Sequence, residues 1–159
     1  MRKKRINAII SQIEYDTLAD IGCDHAFIPI FAMEVGLVKK AIAIDIANGP
    51  LLNAEKNIFR KGLVSQIKTR LGSGLKPLLD GEVACITIAG MGCETIIEIL
   101  EDLENLPSIS QIIISPHTKL ELFREFIENS NFYIKNEIAV EEGKKVYTIF
   151  NCKREEADR

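Results

Sequence analysis

Four short segments of this sequence carry residue types suited to chemistry: Asp20-Ile-Gly22-Cys23-Asp24-His25, Asp45-Ile46, Gly72-Ser73-Gly74 and Ala89-Gly90-Met91-Gly92. Each follows a segment that reads as a strand, so each is expected at a strand's carboxyl end. In open parallel sheets, ligands bind beyond those ends, where the strand order reverses. Gly22 would let a ligand approach the main chain closely. Asp45 lies near the spacing of about 20 residues at which a carboxylate after the second strand accepts both ribose hydroxyls. The Gly72-Ser73-Gly74 loop is small and polar enough to border a base. The glycines around Met91 leave space for a reacting group to enter. Any one of these segments also reads as a tight turn; four at consecutive strand ends predict a nucleoside site.

The choice of nucleoside follows from what is missing. Dinucleotide sites use Gly-x-Gly-x-x-Gly to seat a pyrophosphate on a helix N-terminus. After Gly22 this sequence has Cys23, Asp24, His25 and Ala26, which places a carboxylate where a diphosphate would be repelled. A Walker loop is absent as well. S-adenosyl-L-methionine has no phosphate, and its sulfonium and ammonium suit Asp20 or Asp24. The expected cofactor-binding set is therefore Asp20, Gly22, Cys23, Asp45, Ile46, Gly72, Ser73, Gly74, Ala89, Gly90, Met91 and Gly92. Asp24, in the same loop, suits cofactor contact or support of the loop, with His25 beside it. The four cysteines (Cys23, Cys85, Cys93, Cys152) form no Cys-x-x-Cys pair, and only His25 and His117 are available beside them, so no zinc site is expected. Cys85 reads as a core residue; Cys23 and Cys93, in the ligand loops, read as small packing groups, with a reactive thiol as the alternative.

The elements that must hold these loops alternate between two hydrophobic periods. Ile6, Ile9, Ile10 and Ile13 make one face of a helix over 4–14. Strands are expected at 17–21, 40–45, 66–71, 83–88 and 111–115, the last stopped by Pro116. Helices are expected up to about Val35, from Asn48-Gly49-Pro50 to about Lys61, from Gly74 to about Leu79, after Gly92, and over 118–130. Proline at a helix start is favourable, because its missing N–H has no partner there anyway. Two further strands, 131–140 and 145–150, are joined by Glu141-Glu142-Gly143 as a hairpin. The predicted fold is α/β and Rossmann-like: a mostly parallel sheet, helices on both faces and an antiparallel C-terminal hairpin. One domain over 1–159 is expected.

Apolar residues make up 47% of the 159 residues, enough for a substantial core. No apolar run is long enough for a membrane span, and the basic start Met1–Arg5 leads into Asn7, Ser11, Gln12 and Glu14 rather than a signal-peptide core. A cytoplasmic protein without a membrane partner is expected. A net charge of -3 excludes nucleic-acid binding by bulk charge alone. Local basic clusters stand at Arg2–Arg5, Lys39–Lys40, Lys56 with Arg60 and Lys61, and Lys144–Lys145. Each suits a solvated surface.

Asp20-Ile-Gly-Cys-Asp-His-Ala26, Asn48-Gly-Pro50, Gly72-Ser-Gly-Leu75 and Ile86-Thr-Ile-Ala-Gly-Met-Gly92 resemble the bacterial tRNA (adenine-22-N1)-methyltransferases, with similarity from about Lys4 to Phe150. The resemblance implies a class I methyltransferase fold, S-adenosyl-L-methionine as donor, and N1 of an adenine in the tRNA D-arm as acceptor. Such an acceptor already carries a lone pair, so a strong base is not needed. As the candidate catalytic pair, Asp24 would stabilise the cationic product base with His25 as its orienting or hydrogen-bonding partner, Met91 and Phe27 would line the pocket for an unpaired or flipped base, and the helix with Lys56, Arg60 and Lys61 would contact RNA. Three departures stand out. Ser73 replaces the family's usual aspartate, Ser115-Pro116-His117 replaces Gln-Pro-Asn, and the family's usual C-terminal coiled-coil domain is not part of this sequence. A methyltransferase with another acceptor and a non-catalytic nucleoside-binding domain are the alternatives.

Overall fold

The segments between the loops assemble into one seven-stranded sheet in the computed structural model, which describes residues 3–156. Its strands are β1 (Thr17–Ile21), β2 (Lys40–Asp45), β3 (Ile67–Leu71), β4 (Cys85–Met91), β5 (Gln111–Pro116), β6 (Phe132–Glu142) and β7 (Lys145–Arg154). They lie in the order β3-β2-β1-β4-β5-β7-β6. The first five are mutually parallel, while β7 runs antiparallel to both β5 and β6. The order reverses between β1 and β4, which puts the ligand crevice above that pair.

Burial on both faces explains why the central strands read as continuous apolar runs. Ala19, Ile21, Ile42, Ile44, Ile86 and Ile88 face the side covered by α4 (Cys93–Leu100) and α5 (Leu120–Glu128). Leu18, Ala41, Ala43 and Cys85 face α1 (Lys3–Ile10), α2 (Phe27–Glu34) and α3 (Asn48–Arg60). The Rossmann-like architecture with a C-terminal hairpin is as expected.

Several boundaries differ from the sequence reading. Helix α1 stops at Ile10, yet Ile13 stays buried in the turn that follows. No helix forms between Gly74 and Leu79; the segment is a series of turns containing Pro77, which lacks the N–H a helix needs. Strand β4 starts two residues late and continues through Ala89, Gly90 and Met91, with a bulge that lets Met91 pair with Pro116. Gly90 takes φ 84°, a left-handed conformation that side chains strain to adopt. Cys93 is the first residue of α4 rather than a loop residue. Strand β7 runs on to Arg154, and Glu141 and Glu142 belong to β6.

Polar side chains fix α1 and the β3 loop onto this frame. Buried Gln111 donates from Nε2 to the Gln12 carbonyl at 2.6 Å and to Asn151 Oδ1 at 2.9 Å, and its Oε1 accepts from the Glu14 N–H at 3.0 Å. Arg70 pairs with Glu82 through two bonds of 2.7 and 2.5 Å and also donates to the Pro77 carbonyl at 2.9 Å. The loop that carries Gly72-Ser73-Gly74 is thereby clasped at its base.

Candidate active site

The chain leaves β1 through a tight loop in which Gly22, Asp24 and Ala26 all have positive φ, at 72°, 47° and 61°. The N–H groups of Gly22 and Cys23 donate to the Ile44 carbonyl at 2.9 and 3.0 Å, so the loop stays bound to the end of β2. A Cβ at Gly22 would overlap the Met91 methyl group. Glycine is thus required twice, by the backbone angle and by the close approach of β4. Gly22 borders two cavities, one on each side of it.

The first cavity, of about 520 Å³, lies above β1, β2 and the β3 loop. Gly22, Asp45, Ile46, Gly72, Ser73, Gly74 and Met91 all line it, as the sequence predicted. Asp45 is 9% exposed, and its carboxylate accepts from the Ala47 N–H at 3.0 Å and the Asp24 N–H at 3.4 Å. Those bonds fix the carboxylate at the mouth of the crevice. Ile46 is 73% exposed, an apolar side chain at the rim of a polar loop, where a flat base could rest. The outer wall comes from α4, through Thr95, Glu98 and Ile99, with Asp102 and Lys76 bridging the rim at 3.3 Å. Sequence reasoning missed this wall, because α4 reads as a core helix. No local signal marks it: Ile99 faces the cavity because Gly74, in another element, lies against it.

The second cavity, of about 420 Å³, opens between α1 and the β1 loop. Asp20, Gly22, Cys23, Asp24, His25 and Ala89 line it, together with Arg5, Ile6 and Phe27. Asp20 is buried, and the Thr87 hydroxyl donates to its carboxylate at 2.8 Å. Burial pushes its pKa up to about 7; the Thr87 bond opposes this, and the nearby Asp45 and Asp24 charges reinforce it. Such a carboxyl is ready to accept a cationic ligand group, which would draw off its proton.

Asp24 and His25 stand exposed at the mouth. His25 Nε2 lies 3.8 Å from Asp24 Oδ1, too far for a hydrogen bond, and the imidazole stacks on Phe27 with ring centroids 5.2 Å apart. The structure therefore gives His25 an aromatic partner where the sequence suggested a bonded carboxylate. Gly90 and Gly92 line neither cavity; Gly90 faces His117 and Gly92 faces Thr118. Cys23 is buried, and burial raises its thiol well above the ordinary range, so it packs rather than reacts. Arg5, expected in a solvated basic cluster, is instead buried, donating to the Ser115 hydroxyl at 3.3 Å with its guanidinium over Tyr147. Arg2 of that cluster lies outside the described residues. Among the described residues no group of three or more His, Cys, Asp or Glu is placed to hold a metal, and no helix is long and apolar enough to cross a membrane.

A family model described as a methyltransferase domain matches residues 2–150. The tRNA (adenine(22)-N(1))-methyltransferase of Bacillus subtilis (strain 168) is 34% identical over 148 residues; the chain covers 92% of itself and 62% of that relative's length in this match. Streptococcus pneumoniae Sp1610 in complex with S-adenosyl-L-methionine superposes with a TM-score of 0.92 at 34% identity, over 100% of this chain and 76% of that one. M. capricolum TrmK in complex with S-adenosyl-homocysteine gives a TM-score of 0.85 at 34% identity, over 94% and 67% of the two chains.

Proposed function

Because the chain belongs to the methyltransferase-domain family, in the branch of the bacterial tRNA (adenine-22-N1)-methyltransferases, we propose that it binds S-adenosyl-L-methionine across Gly22 and methylates N1 of an unpaired adenine in the tRNA D-arm. The observation that carries this reading is the pair of cavities meeting at Gly22, one with a ribose-suited carboxylate and an apolar rim, the other with buried Asp20. The donor set suits a ligand with a diol and an ammonium. It offers no diphosphate cradle, since Asp24 stands where a second glycine would be needed. Two of the similar structures, Sp1610 and M. capricolum TrmK, hold this cofactor or its product.

Asp45 would hold the ribose hydroxyls, Ile46 and Ile99 would flank the base, and Ser73 would border its edge. Ser73 is shorter than the aspartate expected there by resemblance, so one contact to the base is weakened. Asp20 would take the ammonium. When bound, the cofactor supplies the methyl group: the acceptor lone pair forms the N–C bond, the S–C bond breaks, and its electrons stay on the departing thioether sulfur. Asp24, at the mouth of the second cavity, would stabilise the positive charge that N1 acquires, while Phe27 stacks beside the incoming base. Positioning dominates such a reaction, with about 3–3.5 Å needed between the reacting atoms. We place the activity in the cytoplasm and treat 1–159 as one domain, with tRNA as partner.

The test is Asp24→Ala, assayed for S-adenosyl-homocysteine binding and for methylation of an unmodified tRNA transcript. Retained binding with at least a tenfold loss of transfer is expected. Transfer at the wild-type rate would remove Asp24 from the mechanism.

A further inference from the structure

Beside the second cavity, and sharing Phe27 with it, runs a groove of about 430 Å³ between the start of α1, the outer face of α2 and the end of α3. Its floor is aromatic. The rings of His25 and Phe27 stack at 5.2 Å between centroids, and those of Phe27 and Phe31 continue the ladder at 5.7 Å, tilted by only 7°. Its banks carry Lys3, Arg60 and Lys61. Among the described residues that line it, none is acidic. Glu34 stands 3.8 Å from Lys61, with both side chains about half exposed, a pairing that water and salt weaken readily. Lys56 does not join this group; it borders a separate hollow beside β3. Asn57 Nδ2 donates to the His25 carbonyl at 2.9 Å, which fastens the groove to the loop bearing Asp24 and His25.

We propose that this groove seats the RNA nucleotides next to the acceptor adenine, with a flanking base stacked on Phe31 and backbone phosphates held by Lys3, Arg60 and Lys61. The inference rests on the methyltransferase reading above and assigns its substrate a path. A flat aromatic ladder flanked by cations matches the chemistry of single-stranded nucleic acid, in which every base offers a π face and every linkage a negative charge. The net charge of -3 leaves the remainder of the surface without a general attraction for RNA, so a local track is needed. A base flipped into the second cavity leaves its neighbours splayed at the mouth, and Phe27 is where mouth and groove meet.

The experiment uses the whole chain, an unmodified tRNA transcript and three proteins: wild type, Phe31→Leu, and the triple variant Lys3→Ala/Arg60→Ala/Lys61→Ala. Phe31→Leu keeps an apolar group in the half-buried position and removes only the π face. The expected results are a rise in KM for RNA of about tenfold for Phe31→Leu with kcat within twofold. For the triple variant the log–log salt slope of RNA binding should fall by about 2, at roughly 0.7 per phosphate contact on a single strand. Both variants should bind S-adenosyl-homocysteine as wild type does, which also verifies their fold. Unchanged KM and salt slope in variants that bind the cofactor product would overturn the groove while leaving the methyltransferase reading intact. A wild-type chain that binds S-adenosyl-homocysteine but neither binds nor methylates the transcript would overturn the RNA reading and the groove with it.

Discussion

Asp20 supplies a sharp prediction, because its environment sets a pH scale for cofactor binding. Its carboxyl is 2% exposed and its pKa is raised to about 7 by burial, against one hydrogen bond from Thr87. A cationic ammonium placed beside it favours the ionised form, so proton and ligand compete. With a pKa of about 7, roughly three quarters of the molecules are ionised at pH 7.5 and roughly 3% at pH 5.5. Binding that requires the carboxylate therefore weakens by up to about 25-fold across that range, or about 1.9 kcal/mol. Isothermal titration with S-adenosyl-homocysteine at half-unit steps reads this directly. Asp20→Asn should bind weakly at pH 7.5 and lose the pH dependence. The unliganded fold should respond with its own sign. A carboxyl whose folded pKa lies above its unfolded value gives stability that is full below about pH 3.8 and is lost as pH rises through 7. A flat affinity profile in wild type, or an equal slope in Asp20→Asn, would refute the assignment of the ammonium to Asp20.

Other substitutions separate scaffold from site. Gly22→Ala should lower stability by about 1–2 kcal/mol, through the left-handed backbone and displacement of Met91, and should lower cofactor affinity by more than stability alone explains. Denaturant unfolding and titration on the same samples measure both effects. Gln111→Leu strands the Gln12 carbonyl, the Glu14 N–H and Asn151, so a loss of about 2–4 kcal/mol is expected with cofactor affinity unchanged. Glu82 is held down to about 2 by its bonds to Arg70, so its stabilisation is full above about pH 4.5 and fades as pH falls towards 2. Its side chain is 25% exposed, which limits the contribution to about 1–2 kcal/mol; Glu82→Gln should flatten acid unfolding curves over that interval.

Much of this crevice was legible because strand-end chemistry is local. β1 and β2 fall where their apolar runs place them, and the order of turn residues delivers Gly22, Asp45 and the Gly72-Ser73-Gly74 loop to one cavity. What escaped is tertiary. Ile99 faces a cavity because Gly74 of another element lies against it, and Arg5 is buried because Ser115 and Tyr147 receive it. Nothing within either helix marks those contacts. The extension of β7 through Asn151 was hidden for a related reason. A polar residue breaks the apolar pattern, yet its amide is satisfied by Gln111 and Asn136, at 2.9 and 3.0 Å. The extra residues of β4 depend on a bulge that Gly90 permits, and glycine alone signals a turn equally well.

The most direct measurement of the central claim is nucleoside mass spectrometry on an unmodified tRNA transcript incubated with this chain and methyl-labelled S-adenosyl-L-methionine. One labelled 1-methyladenosine per transcript, lost when the D-arm adenine is replaced, is the expected result. No labelled nucleoside at all, or label on a different base, would contradict it.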